Sequence, residues 1–362
     1  MSTANQQGLL KVHGLDLSYF TGKLEGYLRA KGLAYQLVEM DTRAFRRCSK
    51  ITGIAQMPQL ELPDGRWLTD STTIIDQFER EFPQPAIYPD DPALCFIADL
   101  LEDFGDEWMW RPAMYYRWAF AEDARQLSDR LARGLLRDVP LPLVIRRGLI
   151  KRRQRQLFLK GDGITAQTAP IVEALYPQIL DAMEGVLAAQ PYLLGRRPSQ
   201  ADMGFFGSMF RHFYCDPTGA RIMRERAPQV LAWVERLWNL TPAAFSQQPM
   251  PTAISEGLKP LLSIVCRDYL PYLQANQLAV EHGEKQVHWQ SEGVTFSTPS
   301  SPYQRHCWQR LRGHFQRLEQ AQQKKIGIWL DDPTVTALLQ LPAPDAGATA
   351  PISHKVLDQR WR

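Results

Sequence analysis

Two short segments carry groups suited to holding a small peptide. Met57 is followed by Pro58 at the start of a predicted strand. Proline has no backbone N–H to donate, and the first position of a strand tolerates this. An X-Pro bond is also where a cis peptide costs least, and a cis bond here would turn the N–H and C=O of Met57 outward. Those two groups could then pair with an extended peptide as an added strand.

The second segment, Asp70-Ser71, stands at the predicted start of a helix. The Ser71 hydroxyl, the free helix N–H groups and the positive end of the helix dipole suit a carboxylate, and Asp70 can accept from an ammonium group. Alone, the pair also fits a plain helix cap. Because Asp70-Ser71 follows Met57-Pro58 closely in the chain, the two segments together favour a ligand with an α-amino and an α-carboxyl group at one end and a peptide backbone beyond. That describes a γ-glutamyl peptide.

The elements that must position these residues occur in the order strand, helix, strand, loop, strand, strand, helix. Helical spacing of apolar residues, period-two alternation and turn residues define them. Ser71 is predicted to cap the last helix. The predicted elements are a strand at Leu9–Val12, a helix at Lys23–Lys31 closed by Gly32, a strand at Tyr35–Met40, a hairpin at Leu60–Leu68 that turns at Pro63-Asp64-Gly65, and a helix that ends before Pro83.

The rest of the chain is predicted to be mainly helical. From Pro92 to Leu240 the pattern is almost wholly helical, and Ser199 with Asp202 forms a capping box. Thr241–Pro251 reads as a linker. The remaining predictions are a helix around Leu258–Leu273 broken near Pro271, a hairpin at Val287–Phe296, a helix opened by Ser301-Pro302 with a core-facing row of Tyr303, Cys307, Leu311, Phe315 and Leu318, and an unfolded Pro/Ala/Gly tail.

Composition bounds the class of protein. The chain has 362 residues, 44% of them hydrophobic and 22% charged, which is ordinary for a globular protein. It lacks an apolar run long enough for a membrane span, and we expect no signal peptide. Five scattered cysteines without a C-x-x-C pair indicate reduced thiols. Five of the seven histidines fall beyond residue 280 without a tight ligand pair, so we expect no metal site and a cytoplasmic protein.

Charge is concentrated in one stretch. Between Arg130 and Lys160 there are ten Lys/Arg and one acid, Asp138, although the whole chain carries only +3. Such a stretch can bind nucleic acid or anionic lipid, but aromatic residues do not interleave with it until Phe158, as base stacking would require. We interpret it as a solvated helical face whose apolar residues pack inward; these are Leu135, Leu136, Leu143, Val144, Ile145, Leu149 and Ile150.

The chain resembles the glutathione S-transferase superfamily. The resemblance covers LSYFTGKLEGYLRAKGLAYQLVEMD and GIAQMPQLELPDGRWLTDSTTIIDQF, then YLLGRRPSQADMGFF and RAPQVLAWVERLW, and so spans roughly the first 245 residues. It implies an α/β thioredoxin-like domain at residues 1–85, followed by an all-α domain of the glutathione S-transferase C-terminal type at 86–245. A mainly helical extension at 246–362 is left unassigned.

The resemblance also implies roles for individual residues. Met57 would bind the cysteinyl backbone of glutathione with help from Gln56, Pro58 would be a cis-proline, and Asp70 and Ser71 would hold the γ-glutamyl head. Arg47 and Lys50 are candidates for the glycyl carboxylate. In this family a hydroxyl or thiol near the start of the first helix assists the glutathione sulfur; here the candidates are Ser18 first, Tyr19 second and then Thr21.

These roles predict a transferase with glutathione as its substrate. The second substrate would be a small, largely apolar electrophile, and the aromatic residues Trp108, Trp110, Tyr115, Tyr116 and Trp118 could stack on it or belong to the core and a dimer seam. We expect a homodimer, with neither a membrane nor nucleic acid as a partner. The alternative is a non-catalytic binding or scaffold protein of the same fold.

Overall fold

A four-stranded mixed sheet forms the first part of the chain. The computed structural model describes residues 8–341. Strand β1 pairs in parallel with β2 and antiparallel with β3, and β3 pairs antiparallel with β4, so the strand order is β2-β1-β3-β4. The strands are β1 (Leu10–Gly14), β2 (Tyr35–Glu39), β3 (Gln59–Glu61) and β4 (Trp67–Thr69), and the helices of this part are α1 (Tyr19–Lys31), α2 (Thr42–Thr52) and α3 (Ser71–Glu81).

Helix α1 is the crossover that the parallel pair β1–β2 requires. Ser18 is its N-cap, and Gly32 ends it in the left-handed conformation at φ 67°, as the sequence predicts. The predicted hairpin is also present, since Leu60 pairs with Leu68. Both features follow from local residue chemistry.

Two local predictions are wrong. The segment between β2 and β3 is not a loop, because α2 occupies it, capped by Asp41 and ended by Gly53. This helix buries only Thr42 and Cys48, although Ala44, Phe45, Cys48 and Ile51 recur at helical spacing. The residue that caps α3 is Asp70, whose carboxylate accepts from the Thr73 N–H at 3.1 Å, and Ser71 is the first helical residue.

Helices make up the second part, as predicted. The capping box at Ser199 and Asp202 is present, and Asp202 also accepts from the Trp233 indole at 2.9 Å. The helices are α4 (Pro92–Asp103), α5 (Trp110–Ala119), α6 (Ala121–Arg133), α7 (Leu143–Phe158), α8 (Ala169–Leu187), α9 (Gln200–Ser208), α10 (Pro217–Arg226), α11 (Pro228–Trp238) and α12 (Pro242–Phe245), with π-helical segments at Phe104–Trp108 and Met209–Tyr214.

The extension packs against α4 through Arg310, which is half-buried and contacts the buried carboxylates of Glu102 at 3.1 Å and Asp103 at 3.2 Å. The predicted break near Pro271 does not occur, because a π-helical segment precedes that proline and the helix continues. The predicted tail after residue 341 lies outside the described residues. The elements are α13 (Lys259–Ile264), α14 (Leu270–Glu281), β5 (Gln286–Ser291), β6 (Val294–Pro299), α15 (Pro302–Arg317), α16 (Gln320–Leu330) and α17 (Pro333–Gln340).

Within residues 8–341, the helices are all too short or too polar to cross a lipid bilayer.

Candidate functional site

A single cavity collects the seven site residues that the sequence predicts. It lies between the sheet, the helical part and the extension, and encloses about 190 Å³, whereas one water needs roughly 10–15 Å³. The cavity is therefore large enough for an organic ligand. Its wall includes Ser18, Tyr19, Gln56, Met57, Pro58, Asp70 and Ser71.

The loop before β3 presents Gln56 and Met57 to this cavity. The Met57-Pro58 bond is cis, as predicted. The buried Gln59 amide holds the loop, because it donates to the carbonyl oxygens of Ile54 at 2.9 Å and Gln56 at 3.1 Å. The Gln56 Oε1 atom is buried and has no hydrogen-bond partner. A buried acceptor without a partner is costly, so this atom is suited to a ligand N–H.

Asp70 adopts a backbone conformation that L-residues rarely occupy, with φ 70° and ψ 110°. Such geometry costs about 1–3 kcal/mol and concentrates at functional sites. The Asp70 carboxylate bonds the Thr73 N–H and accepts from the Tyr303 hydroxyl at 3.3 Å. Ser71 beside it is buried. Asp70 is therefore held from two sides at the cavity wall, and one of its partners belongs to the extension.

The hydroxyl candidates near α1 differ in their surroundings. Ser18 is half-buried at the cavity wall, and its Oγ accepts from the Thr21 N–H at 3.4 Å. The Tyr19 hydroxyl is buried and donates to the Gly105 carbonyl. Burial and the nearby Asp106 carboxylate raise the pKa of Tyr19 well above its usual value. Thr21 lies outside the cavity wall, so Ser18 presents the most accessible hydroxyl of the three.

Arg117 anchors the turn that carries Ser18, a contact that no local sequence pattern predicts. Its guanidinium donates to the Leu17 carbonyl at 2.9 Å and to both oxygens of Asp216, at 2.6 and 3.1 Å. All three groups are buried. A forked ion pair of this kind fixes geometry strongly, so Arg117 sets the position of Ser18 relative to the helical part.

Buried charges lie beneath the Asp70 end of the cavity. Lys23 is fully buried and bonds Glu102, Asp106 and the Thr72 hydroxyl, the last at 2.9 Å. Burial alone would raise the pKa of Glu102, but Lys23 and Arg310 lower it to about 2. Burial raises the pKa of Asp106 well above its usual value. This cluster joins α1, α3 and α4, so it holds the first and second parts of the chain in register.

His212 is a cavity residue that sequence reasoning missed. Its ring lies 5.4 Å from the Tyr19 ring and 6.4 Å from the Trp110 ring. Burial, reinforced by Arg117, lowers the pKa of His212 well below 6.5. The imidazole is therefore neutral at physiological pH, and it adds a polar but uncharged group to the wall.

One side of the cavity is aromatic. Phe20 stacks on Trp110 with a centroid distance of 5.9 Å, and Phe158 meets Trp110 edge-on at 5.3 Å. Of the five aromatic residues considered for this role, Trp110 and Trp118 line the cavity. Trp108, Tyr115 and Tyr116 belong to the main hydrophobic core instead.

The basic residue that α2 contributes to the cavity is Arg46. It shares one helix face with Thr42 and Phe45, which also line the cavity. Arg47 and Lys50, the residues suggested by the resemblance, lie outside the wall. The sequence predicts a loop where α2 lies, and so it does not predict which residues of this segment face the cavity.

The extension supplies two further wall residues, Tyr272 and Gln304. The Gln304 side chain donates to Glu107, which also lines the cavity. No sequence pattern predicts this arrangement, because Gln304 is close to the cavity only after α15 has packed against the helical part.

One group of side chains has the chemistry of metal ligands. Cys95, Asp99 and His314 place their ligand atoms within 4.8 Å of one another. Two hydrogen bonds already satisfy the carboxylate, since Asp99 contacts the His314 Nδ1 at 2.6 Å and accepts from Gln200 at 3.0 Å. The sequence predicts no metal site, and it does not predict that Cys95 and Asp99 of α4 lie close to His314 of α15.

Two family models match this chain, one in the part that contains the four-stranded sheet and one in the helical part. Residues 12–86 match the glutathione S-transferase N-terminal domain, and residues 152–236 match the glutathione S-transferase C-terminal domain. Among curated proteins, no relative matches the chain.

Many solved structures match part of the chain. A beta-etherase from Sphingobium sp. strain SYK-6 is 24% identical with a TM-score of 0.44, and the match covers 63% of this chain and 94% of that one. A glutathione S-transferase from Rhodospirillum rubrum F11 is 18% identical with a TM-score of 0.41, covering 70% and 92%. One from Methylobacterium radiotolerans, in complex with glutathione sulfonate, is 18% identical with a TM-score of 0.38, covering 69% and 99%. Both domain models match in the order N-terminal domain, then C-terminal domain, which places residues 12–86 and 152–236 of this chain in the glutathione S-transferase superfamily.

Proposed function

We propose that this protein binds glutathione in the cavity and activates its thiol for reaction with a small apolar electrophile. The observation that carries the proposal is the convergence of three segments on one cavity: the Gln56–Pro58 loop, Asp70-Ser71 at the start of α3, and Ser18 at the start of α1. Each segment offers a different kind of group, and together they match the parts of a γ-glutamyl peptide.

The γ-glutamyl head would lie at Asp70 and Ser71. Asp70 accepts from the α-ammonium group, while the Ser71 hydroxyl and the N–H groups at the start of α3 donate to the α-carboxylate. The Met57 backbone pairs with the cysteinyl residue, and the buried Gln56 Oε1 is available for a peptide N–H. Arg46 is the cavity residue of α2 that can meet the glycyl carboxylate.

Ser18 would stabilise the glutathione thiolate. A free thiol has a pKa near 8.5, so only a few per cent is ionised at pH 7. A hydroxyl donating to the sulfur and the positive end of the α1 dipole both favour the charged form. Tyr19 is the weaker candidate because its proton already bonds the Gly105 carbonyl.

The electrophile would bind against the aromatic side of the cavity. Phe20, Trp110 and Phe158 offer ring faces and edges there, which favours a flat or aromatic molecule. With an aryl halide, the thiolate sulfur forms a bond to the ring carbon and the halide leaves with the bonding electron pair. A peroxide-reducing variant would use the same thiolate.

Two measurements test the proposal: retention on immobilised glutathione, and conjugation with a generic aryl halide. We expect both, and we expect Ser18→Ala to lower turnover by roughly 10²–10⁴-fold with little change in glutathione affinity. Ser128→Ala is a matched control, since that buried serine bonds a backbone carbonyl in α6. Retention without turnover would favour the alternative, a binding or scaffold protein, whereas failure to bind glutathione would contradict both functions.

We further propose that the protein acts as a cytoplasmic homodimer, following the superfamily resemblance. Light scattering at micromolar concentration tests the assembly. A mass near 41.4 kDa, that of one chain, would contradict it.

A further inference from the structure

The outer face of α7 departs most clearly from the sequence-based expectation. Three apolar side chains that were predicted to pack inward are exposed instead: Val144 by 72%, Ile145 by 46% and Leu149 by 49%. Leu141, which precedes the helix, is also 39% exposed. Ile150, on the opposite side of the helix, is buried as expected. An apolar row of this kind in water is unusual and marks an interaction surface.

The exposed residues form one continuous stripe. Val144, Gly148 and Arg152 lie four residues apart, and Ile145 and Leu149 lie four apart beside them, so these five exposed positions share one side of α7. Leu141 precedes the helix. The opposite side of α7 faces the cavity, where Gln154 and Phe158 belong to its wall. The helix therefore has one side facing the candidate site and another facing solvent.

The charged residues of α7 are all of one sign. The helix contains no Asp or Glu, and its basic residues are Arg146, Arg147, Lys151, Arg152, Arg153 and Arg155. Some of these serve the fold: Arg146 donates to the Ala132 and Leu136 carbonyls, and Arg155 donates to the Trp118 carbonyl. Lys151 and Arg152 flank or continue the apolar stripe, on the outer side of the helix.

From this surface we infer that α7 binds the anionic surface of a lipid bilayer, lying parallel to it. Val144, Ile145 and Leu149 would enter the boundary between headgroups and acyl chains, while Lys151 and Arg152 beside them meet the lipid phosphates. This inference departs from the expectation that a membrane is not a partner. It does not depend on the proposed glutathione chemistry.

Charge distinguishes this partner from two others. A second copy of the chain docked α7 to α7 would bring two basic helices together, which like-charge repulsion disfavours. A nucleic acid would neutralise the charges but would leave Val144, Ile145 and Leu149 against phosphates, and the exposed stripe has no aromatic ring for base stacking. An anionic bilayer satisfies both the charge and the apolar row.

The test is co-sedimentation of the full-length protein with vesicles. We expect binding to vesicles of phosphatidylcholine with 30% phosphatidylserine (roughly the anionic content that creates a strong surface potential). Binding should weaken as salt rises and should be slight on pure phosphatidylcholine. Lys151→Gln with Arg152→Gln should lower the partition coefficient roughly fivefold for each charge removed.

Variants of the apolar row complete the test. Val144→Ser with Leu149→Ser should lower binding at least tenfold, whereas the matched control Ile328→Ser, at a 65% exposed site on α16, should leave it unchanged. Thermal unfolding checks that each variant is folded. The inference would be overturned if the Val144/Leu149 variant and the Ile328 control lost vesicle binding equally, or if wild-type binding did not depend on lipid charge. It would also be overturned if Leu149→Ser changed a dimer to a monomer, or if the protein bound a duplex oligonucleotide more tightly than vesicles.

Discussion

Replacing Asp70 with glycine should separate ligand binding from stability. The Asp70 backbone lies at φ 70° and ψ 110°, where an L-residue pays about 1–3 kcal/mol and glycine pays no steric cost. Asp70→Gly therefore relieves strain while it removes the carboxylate that we assign to the glutathione ammonium group.

The losses can be worked out from the contacts of the side chain. Asp70 caps α3 through Thr73 at 3.1 Å and accepts from Tyr303 at 3.3 Å; each bond contributes about 1 kcal/mol, and glycine at an N-cap costs only a few tenths. The net change in the free energy of unfolding should stay within about 1 kcal/mol. Loss of a hydrogen bond to a charged group costs about 1.5–3 kcal/mol, so glutathione affinity should fall roughly 10–100-fold.

The assay pairs calorimetric titration of glutathione with thermal unfolding. Asp332→Gly is the matched control, because Asp332 caps α17 through Val335 at 3.0 Å but has an ordinary φ of −137°. It gains nothing from glycine, and we expect it to lose stability while keeping wild-type affinity. If Asp70→Gly binds glutathione as tightly as the wild type, the assignment of the γ-glutamyl head to this position is refuted.

Three further predictions concern buried groups. Tyr19→Phe keeps the ring but removes the hydrogen bond to Gly105, so stability should fall by about 1–2 kcal/mol while conjugation persists; abolished turnover would move the thiol-activating role to Tyr19. Arg117→Met leaves Asp216 buried without its partner, and urea unfolding should show a loss of about 3–5 kcal/mol; a loss below 1 kcal/mol would contradict the anchoring role. Burial raises the pKa of Asp103 to about 6, above the unfolded value near 3.9, so its stabilisation is present below about pH 4 and disappears as the pH rises through 6. Relative to Asp103→Asn, the free energy of unfolding of the wild type should fall by on the order of 2–3 kcal/mol between pH 4 and 7. Stability profiles that run parallel for the two proteins would contradict this.

Local residue chemistry determined much of the first part of the chain. The turn at Pro63-Asp64-Gly65 and the pairing of Leu60 with Leu68 follow from short-range rules, and so does the end of α1 at Gly32. The cis Met57-Pro58 bond and the helix start near Asp70 were also predictable, because both depend on adjacent residues. By contrast, α2 was not predicted, because its apolar row of Ala44, Phe45, Cys48 and Ile51 is short and lies among four basic residues.

Only the tertiary structure decided which distant groups meet. Tyr303 reaches Asp70 across 233 residues, and Arg117 reaches Leu17 across 100; neither pairing leaves a trace in local spacing. The outward face of α7 is a second example, since the periodic apolar residues of a helix show that it has a face but not what covers it. Sequence periodicity reports the shape of one element, whereas burial and partners depend on how the elements pack against one another.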